Sequence, residues 1–209
     1  MKYKLVIFDF DGTLADSFPQ FLGIANTLAE KYHFKQIQES ELETLRGYSS
    51  RAMLKHLRIP FWKLPWIIRD ARKLMTATIA QTQAFAGVDQ LLPTLVARGI
   101  QLALVTSNSE ANVRCVLGPV NAALIAHYEC GVALFGKAPR FRKTLEQLNV
   151  LPSEALAIGD ELRDAEAAQK AKIAFGAVAW GYTNLAALQT RAPAEVFMTV
   201  EEIIEKIGD

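Results

Sequence analysis

Lys4-Leu5-Val6-Ile7-Phe8-Asp9-Phe10-Asp11-Gly12-Thr13-Leu14 is the stretch that decides the fold. Its apolar run shows no polar alternation, which reads as a strand buried on both faces, as in a parallel sheet covered by helices. Asp9 and Asp11 stand two apart, so on a strand they point the same way, and Gly12 permits a sharp turn that keeps both near one point. Runs of the same kind recur at Ile100 to Thr106, Gly131 to Phe135, Ala155 to Gly159 and Ile173 to Trp180. Helical spacing falls between them, as at Val88 to Arg98 and Leu162 to Lys172. The fold class expected is α/β, a doubly wound parallel sheet.

The alternation fails over residues 16–84, where 69 residues carry helical spacing and no convincing strand run. Leu22, Ala25, Leu28, Ala29 and Tyr32 form one helical face, and Ile67, Ile68, Ala71, Leu74, Met75 and Ile79 another. The expectation is a small all-helical domain at 16–84 inserted into an α/β core made of 1–15 and 85–209, with hinges at Ser17 to Pro19 and Phe85 to Gly87. Within it, Arg46 to Lys73 holds eight Lys or Arg against the single acid Asp70, mostly a solvated face. Phe61, Trp62 and Trp66 are expected to pack the insert, with Pro65 interrupting any single helix through them.

At 209 residues, against about 150 per domain, the chain is one large domain or a core plus an insert. Hydrophobic residues at 51% supply a proper core, and a net charge of +1 provides no basic field to gather nucleic acid or an anionic membrane. Cys115 and Cys130 lack the spacing of a redox pair or a zinc site, so a reduced, cytoplasmic setting is expected. The opening run ends at Asp9 after four apolar residues, too short for a signal peptide, and no stretch approaches the 18 or so residues of a membrane span.

Ligands of open parallel sheets bind beyond the carboxyl ends of the strands. There the sequence puts Asp9 and Asp11, then Thr106, Ser107 and Asn108 with a hydroxyl and exposed backbone N–H groups, then Asp160 and Glu161 with Asp164 one helical turn on. Acids converging from separate strands repel in a partly dry site and call for a cation, and an all-oxygen set suits Mg²⁺. Singly, each piece also reads as a turn, a helix cap or a solvated acid.

Taken together, Asp9-Phe10-Asp11-Gly12-Thr13-Leu14-Ala15-Asp16-Ser17, Val105-Thr106-Ser107-Asn108, Lys137 and Gly159-Asp160-Glu161-x-x-Asp164 resemble the haloacid dehalogenase-like hydrolase superfamily in order and spacing. The helical insert stands where that family carries its C1 cap. The resemblance implies a phosphatase acting on a small phosphorylated metabolite, phosphoglycolate phosphatases being the members most alike. Asp9 would be the nucleophile forming an aspartyl phosphate, and Asp11 the acid and base. Mg²⁺ would be held by the Asp9 carboxylate, the Asp11 main-chain carbonyl and Asp160, with Asp164 or Glu161 steadying them. Thr106, Ser107, Asn108 and Lys137 would bind the phosphoryl group, Thr106 and Lys137 acting in catalysis as well. Arg46, in a loop resembling one that faces the active site in related phosphatases, is the first candidate for a remote substrate anion.

A β-phosphoglucomutase-like mutase is the alternative, but such members carry an Arg where this chain has Ser50, with Arg51 one position late. A phosphoacceptor that keeps its phosphate is the alternative from another class, against which the large insert after the first strand argues. Gly131 to Ala138 nearly matches a phosphate-wrapping P-loop, yet Ala138 has no hydroxyl for Mg²⁺ and the intervening residues look like a strand. Oligomeric state has no signature in the sequence.

Overall fold

In a computed structural model describing residues 2–133 and 136–207, the apolar stretch Leu5–Phe8 forms β1, the centre of the sheet. The remaining strands are β2 (Ala15–Asp16), β3 (Gln83–Ala84), β4 (Gln101–Val105), β5 (His127–Glu129), β6 (Ala155–Gly159), β7 (Ala174–Val178) and β8 (Glu195–Phe197). The helices are α1 (Phe18–Tyr32), α2 (Leu42–Leu45), α3 (Ser50–His56), α4 (Leu64–Thr78), α5 (Val88–Ala97), α6 (Glu110–Ala123), α7 (Lys137–Leu148), α8 (Leu162–Ala171), α9 (Leu185–Gln189) and α10 (Val200–Ile207).

Six parallel strands run in the order β5-β4-β1-β6-β7-β8. The chain builds outward from β1 through β4 to β5, then returns to β1's other side at β6. That reversal is the switch point where open α/β sheets bind ligands. Alternate residues of β1 serve opposite faces. Val6 and Phe8 pack with Leu91, Val113 and Ile203 of α5, α6 and α10, while Leu5 and Ile7 pack with Phe141, Ala165 and Ala168 of α7 and α8. The α/β sheet expected from continuous apolar strands is therefore present, covered on both faces.

Two strands depart from the sequence expectation. The run at Gly131 to Phe135 is not the strand: Gly131 to Ala133 form a loop, and Leu134 and Phe135 lie outside the described residues. The sheet edge is instead His127–Glu129, paired with Ala103–Val105. Hydropathy misses it because buried Glu129 is held by ion pairs with Lys143 at 2.7 Å and Arg140 at 2.9 Å. Apolar Val132 packs into the core from the loop. The opposite edge strand β8 is three residues long and starts with a charge, which hides it equally well.

Between β2 and β3 the chain is helical. Strands β2 and β3 pair antiparallel, Ala15 with Ala84 and Asp16 with Gln83, so the two crossings into the helical segment are tied side by side. Helices α1 and α4 pack through Ile24, Leu28 and Ile67, and a second cluster centres on Ile37, Leu45 and Leu57. Phe61, Trp62 and Trp66 do not pack this segment. They are 78%, 67% and 49% exposed: Phe61 and Trp62 lie in the turn before α4, and Trp66 lies on the solvent side of its first turn. Among the described residues no helix is long and apolar enough to cross a membrane.

Asp70 of α4 ties the two long helices, accepting from Lys31 Nζ at 2.6 Å and the Tyr32 hydroxyl at 2.7 Å, with Arg69 Nε at 3.0 Å. Lys31, Tyr32 and Arg69 hold its carboxyl well below the usual range. The unfolded chain takes up that proton more readily, so the contribution is full above about pH 4 and is lost as pH falls through the lower folded value. Asp70→Asn should therefore unfold at lower temperature than the parent at neutral pH, with the gap closing on acidification below about pH 4. A gap unchanged across that range in thermal melts would contradict the assignment.

Candidate active site

The carboxyl ends of β1, β4, β6 and β7 converge with the first turn of α7. Asp9 leaves β1 and is buried. Its Oδ1 accepts from the Phe10 N–H at 2.8 Å, while its Oδ2 lies 2.6 Å from Lys137 Nζ but accepts no well-directed hydrogen bond. Lys137, first residue of α7 and 3% exposed, also donates to Asp164 Oδ1 at 2.5 Å. Lys143, on the same helix, pairs with Glu129 and takes no part.

Asp160 follows β6 and is completely buried. The Thr13 hydroxyl donates to its Oδ1 at 2.7 Å and the Tyr182 N–H to its Oδ2 at 2.7 Å. Both loops around it close only because of glycine. Gly12 sits at φ +75°, and a Cβ there would strike the Asp160 carboxylate and the Tyr182 ring; a Cβ on Gly181 would strike the Asp160 side chain. Asp164 accepts from the Glu161 N–H at 3.1 Å, capping α8 while holding Lys137.

Carboxylate oxygens of Asp9, Asp160 and Asp164 come within 4.8 Å of one another. Asp11 lies outside that cluster. Its carboxylate is turned to Asn108, whose Nδ2 donates at 3.1 and 3.2 Å. Asn108 is fixed in turn by its own N–H donating to Thr106 Oγ1 at 3.0 Å and by Asn112 Nδ2 donating to its Oδ1 at 2.8 Å. The side chain expected to meet a phosphoryl group is thus engaged in placing Asp11, while Ser107 and Asn108 both line the adjoining cavity. Thr106 is fully buried at the end of β4.

Burial sets the electrostatics. It pushes Asp9 up to about 7 against the pull of Lys137, raises Asp11 against hydrogen bonds from Ser17 and Asn108, and raises Asp160 well above its ordinary value with help from Glu161 and Asp9. Burial works against the Lys137 charge, but Asp164 and Asp9 outweigh it. Arg163, which donates through Nε to Glu161 Oε1 at 2.9 Å, is likewise kept charged against burial by Glu161, Asp164 and Asp9. Among the described residues, five acids (Asp9, Asp11, Asp160, Glu161, Asp164) stand beside the two cations Lys137 and Arg163, and an oxygen-liking divalent cation would favour the ionised carboxylates that burial opposes.

Arg46 does not present a free cation to a substrate. Its Nη2 donates to Gly181 O at 2.8 Å, its Nε to Tyr182 O at 3.3 Å and its Nη1 to Glu43 at 3.1 Å. It binds the helical segment to the loop that encloses Asp160. Sequence reading missed Thr13, Gly181, Tyr182 and Arg163. The rule that strand ends be read first would have found Gly181 and Tyr182, which follow the apolar run Ile173 to Trp180. Arg163, a lone basic residue among helix-start acids, gave no comparable signal.

The chain matches the model of the haloacid dehalogenase-like hydrolase family over residues 6–178. A phosphoglycolate phosphatase of Synechococcus elongatus is 28% identical over 205 residues, covering 98% of this chain and 97% of that protein. One from Aquifex aeolicus is 26% identical over 187 residues, covering 87% of each. A haloacid dehalogenase-like family hydrolase from Streptococcus pneumoniae superposes with a TM-score of 0.82 at 18% identity, covering 99% of both chains, a likeness of fold.

Lys137→Met should leave Asp9 and Asp164 buried without their shared cation. The loss expected is about 3–5 kcal/mol at neutral pH by denaturant unfolding. A change below about 1 kcal/mol would mean that the lysine does not balance them.

Proposed function

The chain belongs to the haloacid dehalogenase-like hydrolase family, whose model spans residues 6–178, and from that premise we propose a phosphatase that hydrolyses small phosphate monoesters by way of an aspartyl phosphate on Asp9. The observation that carries the reading is the buried Asp9 Oδ2 ion-paired to Lys137, with Asp11 held apart by Asn108 next to the cavity.

Asp9 attacks phosphorus as the ester P–O bond breaks. The proton on Asp11, kept by burial, passes to the leaving oxygen and releases the alcohol. Water then attacks the same phosphorus and gives its proton to the Asp11 carboxylate, while the P–O bond to Asp9 breaks, freeing phosphate and restoring Asp9. Lys137 lowers the cost of ionising Asp9, and the Ser107 N–H is proposed to hold a phosphoryl oxygen with the Thr106 hydroxyl. Mg²⁺ fits the donor set: Asp9, Asp160 and the Asp11 main-chain carbonyl would hold it beside Asp164, and it would supply charge neutralisation for phosphoryl transfer.

We place the catalytic core at 1–15 and 85–209 and the cap at 16–84, a division supported by the paired crossings β2 and β3. Arg46 is assigned to joining cap and core in place of anion binding. The two free cysteines support a reducing, cytoplasmic setting.

With Mg²⁺ present, Asp9→Asn should abolish phosphate release. Asp11→Asn should lower kcat/KM, which reports only the step that forms the aspartyl phosphate, by about 10²–10⁴-fold on an alkyl phosphate, and far less on p-nitrophenyl phosphate, whose leaving group needs no proton. Equal losses on both substrates would remove the acid role from Asp11, and release of only one phosphate per chain would favour a phosphoacceptor.

A further inference from the structure

We infer that the preferred substrate carries its phosphate on an uncharged, largely apolar body of aromatic-ring size or larger, not on a two-carbon acid. The inference rests on the phosphatase reading above and names the class of alcohol that the site releases. A cavity of about 430 Å³ runs from Asp11, Ser107 and Asn108 into the helical segment. Its far wall is built from Leu22 of α1, Ile37, Leu45 of α2, Met53 of α3 and Ile68 and Met75 of α4. That volume falls within the roughly 300–1,000 Å³ of sites that enclose drug-sized molecules, and glycolate would leave most of it to water.

Aromatic rings share the lining with this aliphatic wall. Phe18 and Phe21 lie 5.2 and 5.3 Å from the Tyr182 ring, and the Tyr182 hydroxyl is hydrogen-bonded to Ser17 Oγ at 2.9 Å. All three rings line the cavity, so a leaving group extending from Asp11 is offered aromatic as well as aliphatic contacts.

Two of the cations at the cavity are already engaged. Three guanidinium groups reach the cavity. Arg46 donates to Gly181 O and Tyr182 O, Arg163 to Glu161, and Arg72 lies at an exposed position with Nη2 3.5 Å from Gly131 O. Leu22, Ile37, Leu45, Met53, Ile68 and Met75 carry no charge, so a carboxylate pushed against them would lose hydration unless it turned back to the exposed Arg72, whereas an apolar body would displace water that this wall holds poorly.

The test compares kcat/KM of the full chain with Mg²⁺ on 2-phenylethyl phosphate, hexyl phosphate, ethyl phosphate and 2-phosphoglycolate, all esters of primary alcohols. The two larger neutral esters should exceed both small ones by about tenfold or more, about 1.4 kcal/mol or more in transition-state binding. Equal or greater kcat/KM on 2-phosphoglycolate would overturn the inference and leave the phosphatase reading intact. Absence of phosphate release from every ester, p-nitrophenyl phosphate included, would instead defeat that reading. Ile68→Trp should pull the phenylethyl-to-ethyl ratio toward one, with Leu22→Trp on α1 as the second version should the first not fold. An unchanged ratio in a folded variant would overturn the assignment of the body to this wall.

Discussion

Charge balance around a few buried carboxylates governs the structure. Carboxylate oxygens of Asp9, Asp160 and Asp164 gather in one buried cluster, where burial pushes Asp9 and Asp160 toward the neutral form. Lys137 bridges two of them and Arg163 answers Glu161, which leaves more acid than base. A protein that packs like charges this way forgoes stability at the spot where chemistry needs it. The arrangement survives because the sheet's strand ends hold each carboxylate in place from a different element.

Those holds are local and specific. Thr13 and the Tyr182 N–H fix Asp160, the α8 cap fixes Asp164, and Asn108 fixes Asp11. Asp9 Oδ2 meets the Lys137 ammonium at 2.6 Å instead. The two acids of the first motif thereby differ in surroundings: one lies against a lysine, the other against a neutral amide. Such unequal environments suit the proposed division into a nucleophile and a neighbour that exchanges a proton.

The apolar run before Asp9 made the central strand legible, and strand ends pointed directly to Asp9, Asp11, Thr106 and Asp160. Strands β5 and β8 were hidden because the first buries Glu129 through ion pairs and the second is a short edge. Phe61, Trp62 and Trp66 misled because apolar character alone does not say which side of α4 faces solvent. The cavity could not be read either, since its walls come from four helices whose spacing depends on the Asp70 tie and on the hold of Arg46 over the Gly181–Tyr182 loop. Arg46 shows the general difficulty: a basic residue near a site reads as an anion contact until its carbonyl partners are known.

The central claim is that Asp9 takes the phosphoryl group. It is tested most directly by acid-quenching the enzyme during steady-state turnover and locating any phosphoryl adduct by peptide mass spectrometry. The account predicts one adduct, on Asp9, that decays when substrate is exhausted. An adduct on Asp11 or elsewhere, or turnover with no adduct at any quench time, would contradict it.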